Sequence, residues 1–254
     1  MSRLTDALDL SLEVGELVQL SGGQTTRVID HMERIALALG AEECHPAVSS
    51  VNVSMSVTAA GVRQSGGRHA GHMGISFSTL TALEQLVTET EAHGLTADQI
   101  RARLLLIRNA SPVYPRWLVM LALGGSGAAF AALFGANATG VALTFLGGWI
   151  GAWVRALLQA EHQKPFVFVG CAAFVAAIIV ARGSVVLELG DAATPALAAS
   201  TLFLVPGVPM LNGTADLLSA HYLNGLVRLA MSAVIVGSAA VGLSAAVALA
   251  GVLP

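Results

Sequence analysis

Charge is what this chain has least of. Only 11% of its 254 residues are Asp, Glu, Lys or Arg, against about 25% in ordinary soluble domains. The scarcity is uneven. Residues 1–115 carry 8 Lys/Arg and 12 Asp/Glu, whereas residues 116–254 carry 5 and 4. The first part therefore reads as a soluble domain and the second as a membrane domain. A net charge of −3 with no basic stripe excludes nucleic acid as a partner. Cysteine is nearly absent, with Cys44 and Cys171 falling one in each part. No disulfide is expected between them, and each is read as small apolar filler. The first thirty residues show no basic start followed by an apolar run, so no signal peptide is read there.

Motifs for catalysis and cofactors are missing too. Gly22-Gly23 and Gly66-Gly67 lack the strand and helix context of a phosphate loop. Gly-x-Ser-x-Gly does not occur, and the "GGSGAA" that begins at Gly124 lies within an apolar run. His69-x-x-His72, with Cys44-His45 elsewhere, falls short of the three or four ligands of a metal site and reads as a solvated loop. No enzyme, cofactor or metal is expected.

What is present is periodicity. Leu4 to Leu20 has helical spacing and stops at Ser21-Gly22-Gly23. Thr25 to Leu39 carries an apolar stripe at Val28, Met32, Ile35, Ala36 and Leu39. Val51, Val53, Met55 and Val57 then alternate with Asn52, Ser54 and Ser56, the mark of a strand with one buried face. Gly61 to Gly74 reads as a connection, and a short strand is expected around Ile75 to Ser78. Leu80, Leu83, Leu86 and Val87 mark a third helix closed by Gly94, and Thr96-Ala97-Asp98-Gln99 is a capping-box start for a fourth. The expectation is a small α+β domain over 1–115 with open sheet edges, to be paired with another chain or covered by a helix.

A membrane span needs roughly 20 apolar residues. Residues 117–134, 139–158, 166–187, 192–218 and 226–253 meet that length, giving an all-α bundle of five transmembrane helices over 116–254. Arg101, Arg103, Arg108, Arg116, Arg155, Lys164 and Arg228 fall on one side of that arrangement, and only Arg182 falls near the other. The soluble domain is therefore expected in the cytoplasm and the C-terminus outside. Gly147 and Gly151, with Gly124, Gly125 and Gly127, suit close helix packing in lipid.

The fourth span is broken by Pro206-Gly207-Val208-Pro209. Two missing amides and a flexible glycine must open the helix, and open backbone at membrane depth persists only against protein or a water-filled cavity. Asn212 and Asp216 come next at i, i+4 and share a face. An intramembrane acid is a functional candidate, so Asp216, Asn212, Pro206, Gly207 and Pro209 form the candidate substrate or ion site. Asp216 is open to several roles: proton carrier, partner of a substrate ammonium, or a structural acid that caps a helix or pairs with Arg228 or His221. Arg155 is either a snorkelling side chain or a contact for an anion.

The stretches "GGQTTRVIDHMERIALALG", "SVNVSMSV", "LFGANATG" and "LVPGVPMLNGTADLLSAHYLNGLVRL" together resemble the threonine/serine exporter family, in its half with a cytoplasmic domain and five spans. The likeness runs from about Gly15 to the end. In that family a second, smaller membrane half is either fused or a separate polypeptide, and one split pair exports succinate. The resemblance implies a split, two-component exporter in a bacterial inner membrane, with a second membrane subunit as partner and an oligomeric assembly. The loop "VRQSGGRHAGHMG" departs from the family in carrying less Arg. The function expected is export of hydroxy amino acids or a dicarboxylate, driven by an ion gradient, most simply protons. The alternative is a non-transporting assembly or regulatory subunit.

Overall fold

The computed structural model of the chain describes residues 3–71, 74–161 and 163–251, and His72 of the His-x-x-His pair lies outside them. In chain order the helices are α1 (Arg3–Leu20), α2 (Thr25–Ala38), α3 (Phe77–His93), α4 (Ala97–Arg108), α5 (Arg116–Leu133), α6 (Ala138–Ala160), α7 (Pro165–Val186), α8 (Ala193–Ser200), α9 (Gly207–Leu218) and α10 (Tyr222–Ala250). Strands β1 (Glu43–Val48), β2 (Asn52–Ala59) and β3 (Val62–His69) lie between α2 and α3. The protein is thus mostly helical with one small sheet. It divides into two compact units, Met1–Val113 with Gly207–Ala230, and Tyr114–Pro206 with Met231–Pro254. The first takes in 207–230, a stretch that the charge pattern assigns to the membrane part.

In the first unit the three strands form an antiparallel sheet in the order β1-β2-β3. Val53, Met55 and Val57 of β2 point into a core with Leu8, Leu12 and Val14 of α1, Val28, Met32 and Ile35 of α2, Leu83 and Val87 of α3, and Ile100 and Leu104 of α4. The capping box of Thr96 and Gln99 is present at the start of α4, and Gly94 closes α3 in the left-handed region.

Two expectations for this part change. Residues 62–69 are a strand, not a connection, because Ala60 and Gly61 both take positive φ (49° and 74°) and turn the chain in two residues. The strand escapes an apolar pattern because its covered side is polar: Gln64 meets Thr5 at 3.1 Å, and Arg68 lies 3.2 Å from Glu16. The strand expected around Ile75–Ser78 is absent. Ser76 instead accepts from the Thr79 amide and starts α3.

The second unit is built from α5 to α8 and the later part of α10. Among the described residues four helices, α5, α6, α7 and α10, are long and apolar enough to cross a membrane, or up to five spans if the broken pair 193–204 and 207–218 counts as one. The break lies at Val205-Pro206. A 3-10 turn over Leu202–Leu204 ends at Val205, which is extended as a residue before proline must be. Helix resumes at Gly207, so the open stretch is shorter than the four residues expected, and Pro209 sits in the first turn of α9, where no amide is needed.

Glycine governs packing in this unit. A Cβ on Gly147 would lie 2.6 Å from the Ala176 carbonyl oxygen, and one on Gly151 would lie 3.0 Å from that of Ala172, so α6 and α7 meet backbone to backbone. The Thr144 hydroxyl donates to the Ala196 carbonyl at 3.1 Å and ties α6 to α8. Gly147→Ala should therefore lower stability by about 1–3 kcal/mol through overpacking. Gly125→Ala, which meets nothing within 4 Å, should leave it unchanged or raise it by up to about 1 kcal/mol. Thermal melting of the two variants in detergent checks the contrast, and equal melting points would remove the packing argument.

Candidate functional site

The site in the first unit starts from two glycines. A Cβ on Gly225 would stand 2.7 Å from the Gly213 carbonyl oxygen, and one on Gly213 would stand 3.1 Å from that of Gly225. The start of α10 therefore lies directly on α9. The turn between them closes on itself, with the His221 amide donating to the Asp216 carbonyl at 2.8 Å and Ala220 held at φ 63°. Asn212, Gly213 and Asp216 form the buried face of α9, and Asn224 and Arg228 are buried on α10. Each helix thus turns a polar i, i+4 pair inward beside a glycine.

The Asp216 carboxylate is the hub of this polar cluster. It is 1% exposed. Its Oδ1 accepts from the Thr25 amide at 3.0 Å and its Oδ2 from the Thr25 hydroxyl at 3.0 Å. Arg228 Nε lies 3.4 Å from the same Oδ2. Thr25 is the first residue of α2, and the preceding Gln24 makes no side-chain cap. A carboxylate from a remote segment therefore caps this helix, where the free amides and the helix dipole favour negative charge. Arg228 also donates to the Gly23 carbonyl at 2.8 Å. The Asn212 amide donates to the Gly22 carbonyl at 2.7 Å. Asn224 donates to the Thr25 hydroxyl at 3.2 Å and to the Val48 carbonyl at 2.9 Å. Side chains from 212–228 thus hold Gly22, Gly23 and Thr25 at the α1–α2 turn.

The structure brings Asn212 and Asp216 into one network. Gly207 and Pro209 lie in the first turn of α9 in the same unit. Pro206 and Arg155 belong to the second unit. Arg155 is half-buried on α6, one turn beyond Gly151, which faces the Ala172 carbonyl and the Phe203 ring. It forms no ion pair or hydrogen bond among the described residues. Those residues also hold no group of three potential metal ligands. Sequence reasoning does not single out Thr25 or Asn224, and it takes Arg228 as a topology marker and a structural partner of Asp216. The signal for Asn224 and Arg228 is a polar pair at i, i+4 in an apolar helix, which mirrors Asn212 and Asp216; Thr25 carries no such signal.

Comparison with known proteins covers nearly the whole chain. Residues 9–250 match ThrE, the family described as "Putative threonine/serine exporter". A "Probable succinate transporter subunit YjjP" of Escherichia coli (strain K12) is 29% identical over 236 residues, 92% of this chain and 90% of the relative. A protein of the same description from Klebsiella aerogenes is 28% identical over 221 residues, 87% of this chain and 85% of the relative. No solved structure matches.

Removing one member of a buried ion pair costs about 3–5 kcal/mol because the other is left without an answer. Asp216→Asn and Arg228→Gln should each lower the melting point sharply, and the double variant should lose much less than the sum of the two. A double-mutant cycle in detergent measures this. Additive losses would show that the pair is not coupled.

Proposed function

We propose, since the chain belongs to the threonine/serine exporter family, that it is one subunit of a secondary exporter whose substrate is a small dicarboxylate such as succinate. The chain is a multi-pass membrane protein of a transport family and not an enzyme. The observation that carries the substrate reading is the match along most of both lengths to two proteins named as succinate transporter subunits. Their designation as subunits supports a second membrane subunit as partner. Threonine or serine is the competing substrate, from the family description.

The geometry favours an anion over an amino acid. Both oxygens of Asp216 are already engaged by Thr25 and Arg228, so this acid offers little to a substrate ammonium. Among the described residues Arg155 has no ion pair or hydrogen bond on an apolar helix, where an unanswered charge is costly, and a guanidinium binds a carboxylate with two parallel hydrogen bonds. Arg155 is therefore the substrate contact in this reading. Asn212, Asp216 and the break at Pro206, with Gly207 and Pro209, form the element that changes conformation, and protons supply the driving gradient.

Efflux of labelled succinate and threonine, with the chain alone and together with a second subunit, tests this. Succinate should leave only when both subunits are present. Arg155→Gln should cut that efflux at least about tenfold, while Arg155→Lys, which keeps charge but loses the planar fork, should mainly raise KM. Normal efflux from Arg155→Gln would return Arg155 to a snorkelling role. Full efflux from the single chain would remove the two-subunit reading, and no efflux with both would favour an assembly subunit.

The Lys/Arg bias puts the soluble elements on the cytoplasmic side. In a background of Cys44→Ser and Cys171→Ser, an impermeant thiol reagent applied to intact cells should label Ala136→Cys, between α5 and α6, and spare Ser65→Cys on β3. The reverse pattern would invert the topology.

A further inference from the structure

Helix α2 buries a second polar group, the imidazole of His31. His31 is 1% exposed, and neither ring nitrogen makes a hydrogen bond among the described residues. Two carboxylates nevertheless stand at the ring. Nδ1 lies 3.4 Å from Asp30 Oδ2, and Nε2 lies 3.3 Å from Glu84 Oε2 on α3. A neutral imidazole has one N–H and one lone pair. Both oxygens lie near the ring nitrogens but outside hydrogen-bond geometry, so the packed site gives neither protonation state a hydrogen bond, and charging the buried ring carries a desolvation cost. We propose that His31 is a proton sensor: acidification on the side of the membrane that bathes the first unit charges the imidazole and loosens α2 from α3.

Burial and the carboxylates pull in opposite directions, and burial wins while the helices are packed. Desolvation holds His31 below its ordinary value of 6.5; Glu84 and Asp30 raise it, and Arg34 and Arg27 lower it. These charged groups come from α2 itself and from α3, where Glu91 also bonds Arg34. The helix α1 and strand β1, which pack on α2 as well, add no charged group that shifts it. A base whose value is lowered in the packed state contributes stability that is whole above its ordinary value and lost as the pH falls below it. Opening therefore becomes easier on acidification, by up to about tenfold per pH unit for one proton. Once wetted, the imidazolium meets the two carboxylates that already flank it.

The contact at risk is the one that Arg34 spans, from Asp30 on α2 to Glu84 and Glu91 on α3. The consequence for transport rests on the proposed role of Asp216 in the moving element, since Asp216 is bonded to the first residue of this same helix. The sensor itself does not depend on that role.

The full-length protein in nanodiscs, with 13C-labelled histidine, provides the test. The imidazole resonance that disappears in His31→Gln should titrate with a midpoint below the ordinary value of about 6.5. Amide exchange of α2, corrected for its intrinsic pH dependence, should accelerate on acidification in the wild type and stay flat in His31→Phe. A midpoint at or above the ordinary value, no titration before global unfolding, or an equal pH response in His31→Phe would overturn the proposal. Succinate efflux at neutral and acidic internal pH then separates the two claims. Loss of the pH response in His31→Phe joins the sensor to transport. An unchanged response breaks that link while the proton site stands on its spectrum.

Discussion

A carboxylate buried as deeply as Asp216 must be answered on both oxygens, and the first turn of α2 supplies most of the answer. An amide and a hydroxyl of one residue, Thr25, take one oxygen each, and Arg228 stands beside the second. The other contacts result from holding that arrangement. Arg228 is itself buried, so its remaining donors need acceptors, and the Gly23 carbonyl is one. The Thr25 hydroxyl can donate once and still accept, and Asn224 uses the acceptor side. The same turn is held from its other flank, where the Gly74 amide donates to Leu20 and the Ser76 amide to Ser21. A short loop between two helices thereby fixes a segment 191 positions away in sequence. This is why residues 207–230 fold with the first unit.

The second unit is held by a different physics. Lipid removes the hydrophobic drive between helices, and close packing of small residues replaces it. Gly147 and Gly151 meet carbonyls of α7, and Gly124 approaches the Phe145 carbonyl within α6. A unit packed this way has little room for an unanswered charge. Arg155, one turn past Gly151 on the same helix, is half-buried there, and the proposed reading keeps its charge for an anionic substrate.

Much of this was legible in the sequence. Apolar spacing locates α1 to α3 and the long helices, and a capping box locates α4, each to within a few residues. Strand β2 was visible by its apolar alternation. Strand β3 was not, because α1 covers it with polar and charged contacts and the Gly66 backbone approaches Leu12 instead of a side-chain core. Of the site, Asp216 and Asn212 stood out as polar residues in an apolar run. Thr25 could not, since a threonine at the start of a helix looks like ordinary local capping. Only the fold shows that it serves a remote acid.

The break at Val205-Pro206 acquires a meaning from the phases of the two helices it separates. On α8 the buried positions are Ala193, Ala196, Ala199 and Ser200, a face of small residues suited to helix contact in lipid. On α9 they are Asn212, Gly213 and Asp216, a polar face. At about 100° per residue, an unbroken helix through this segment would set the second group roughly 180° from the first. Thr214, which such a helix would align with Ala196, is exposed. Without the break, burying the small-residue face would turn Asp216 to the opposite side, with no partner for its charge. Proline at 206 ends one phase by forcing Val205 to extend, and Gly207 begins the next. The second proline does no harm, since it falls where α9 has no amide to satisfy. The interruption thus lets one apolar segment serve two environments, and a deeply buried acid at its far end becomes tolerable only because the helix phase was reset before it.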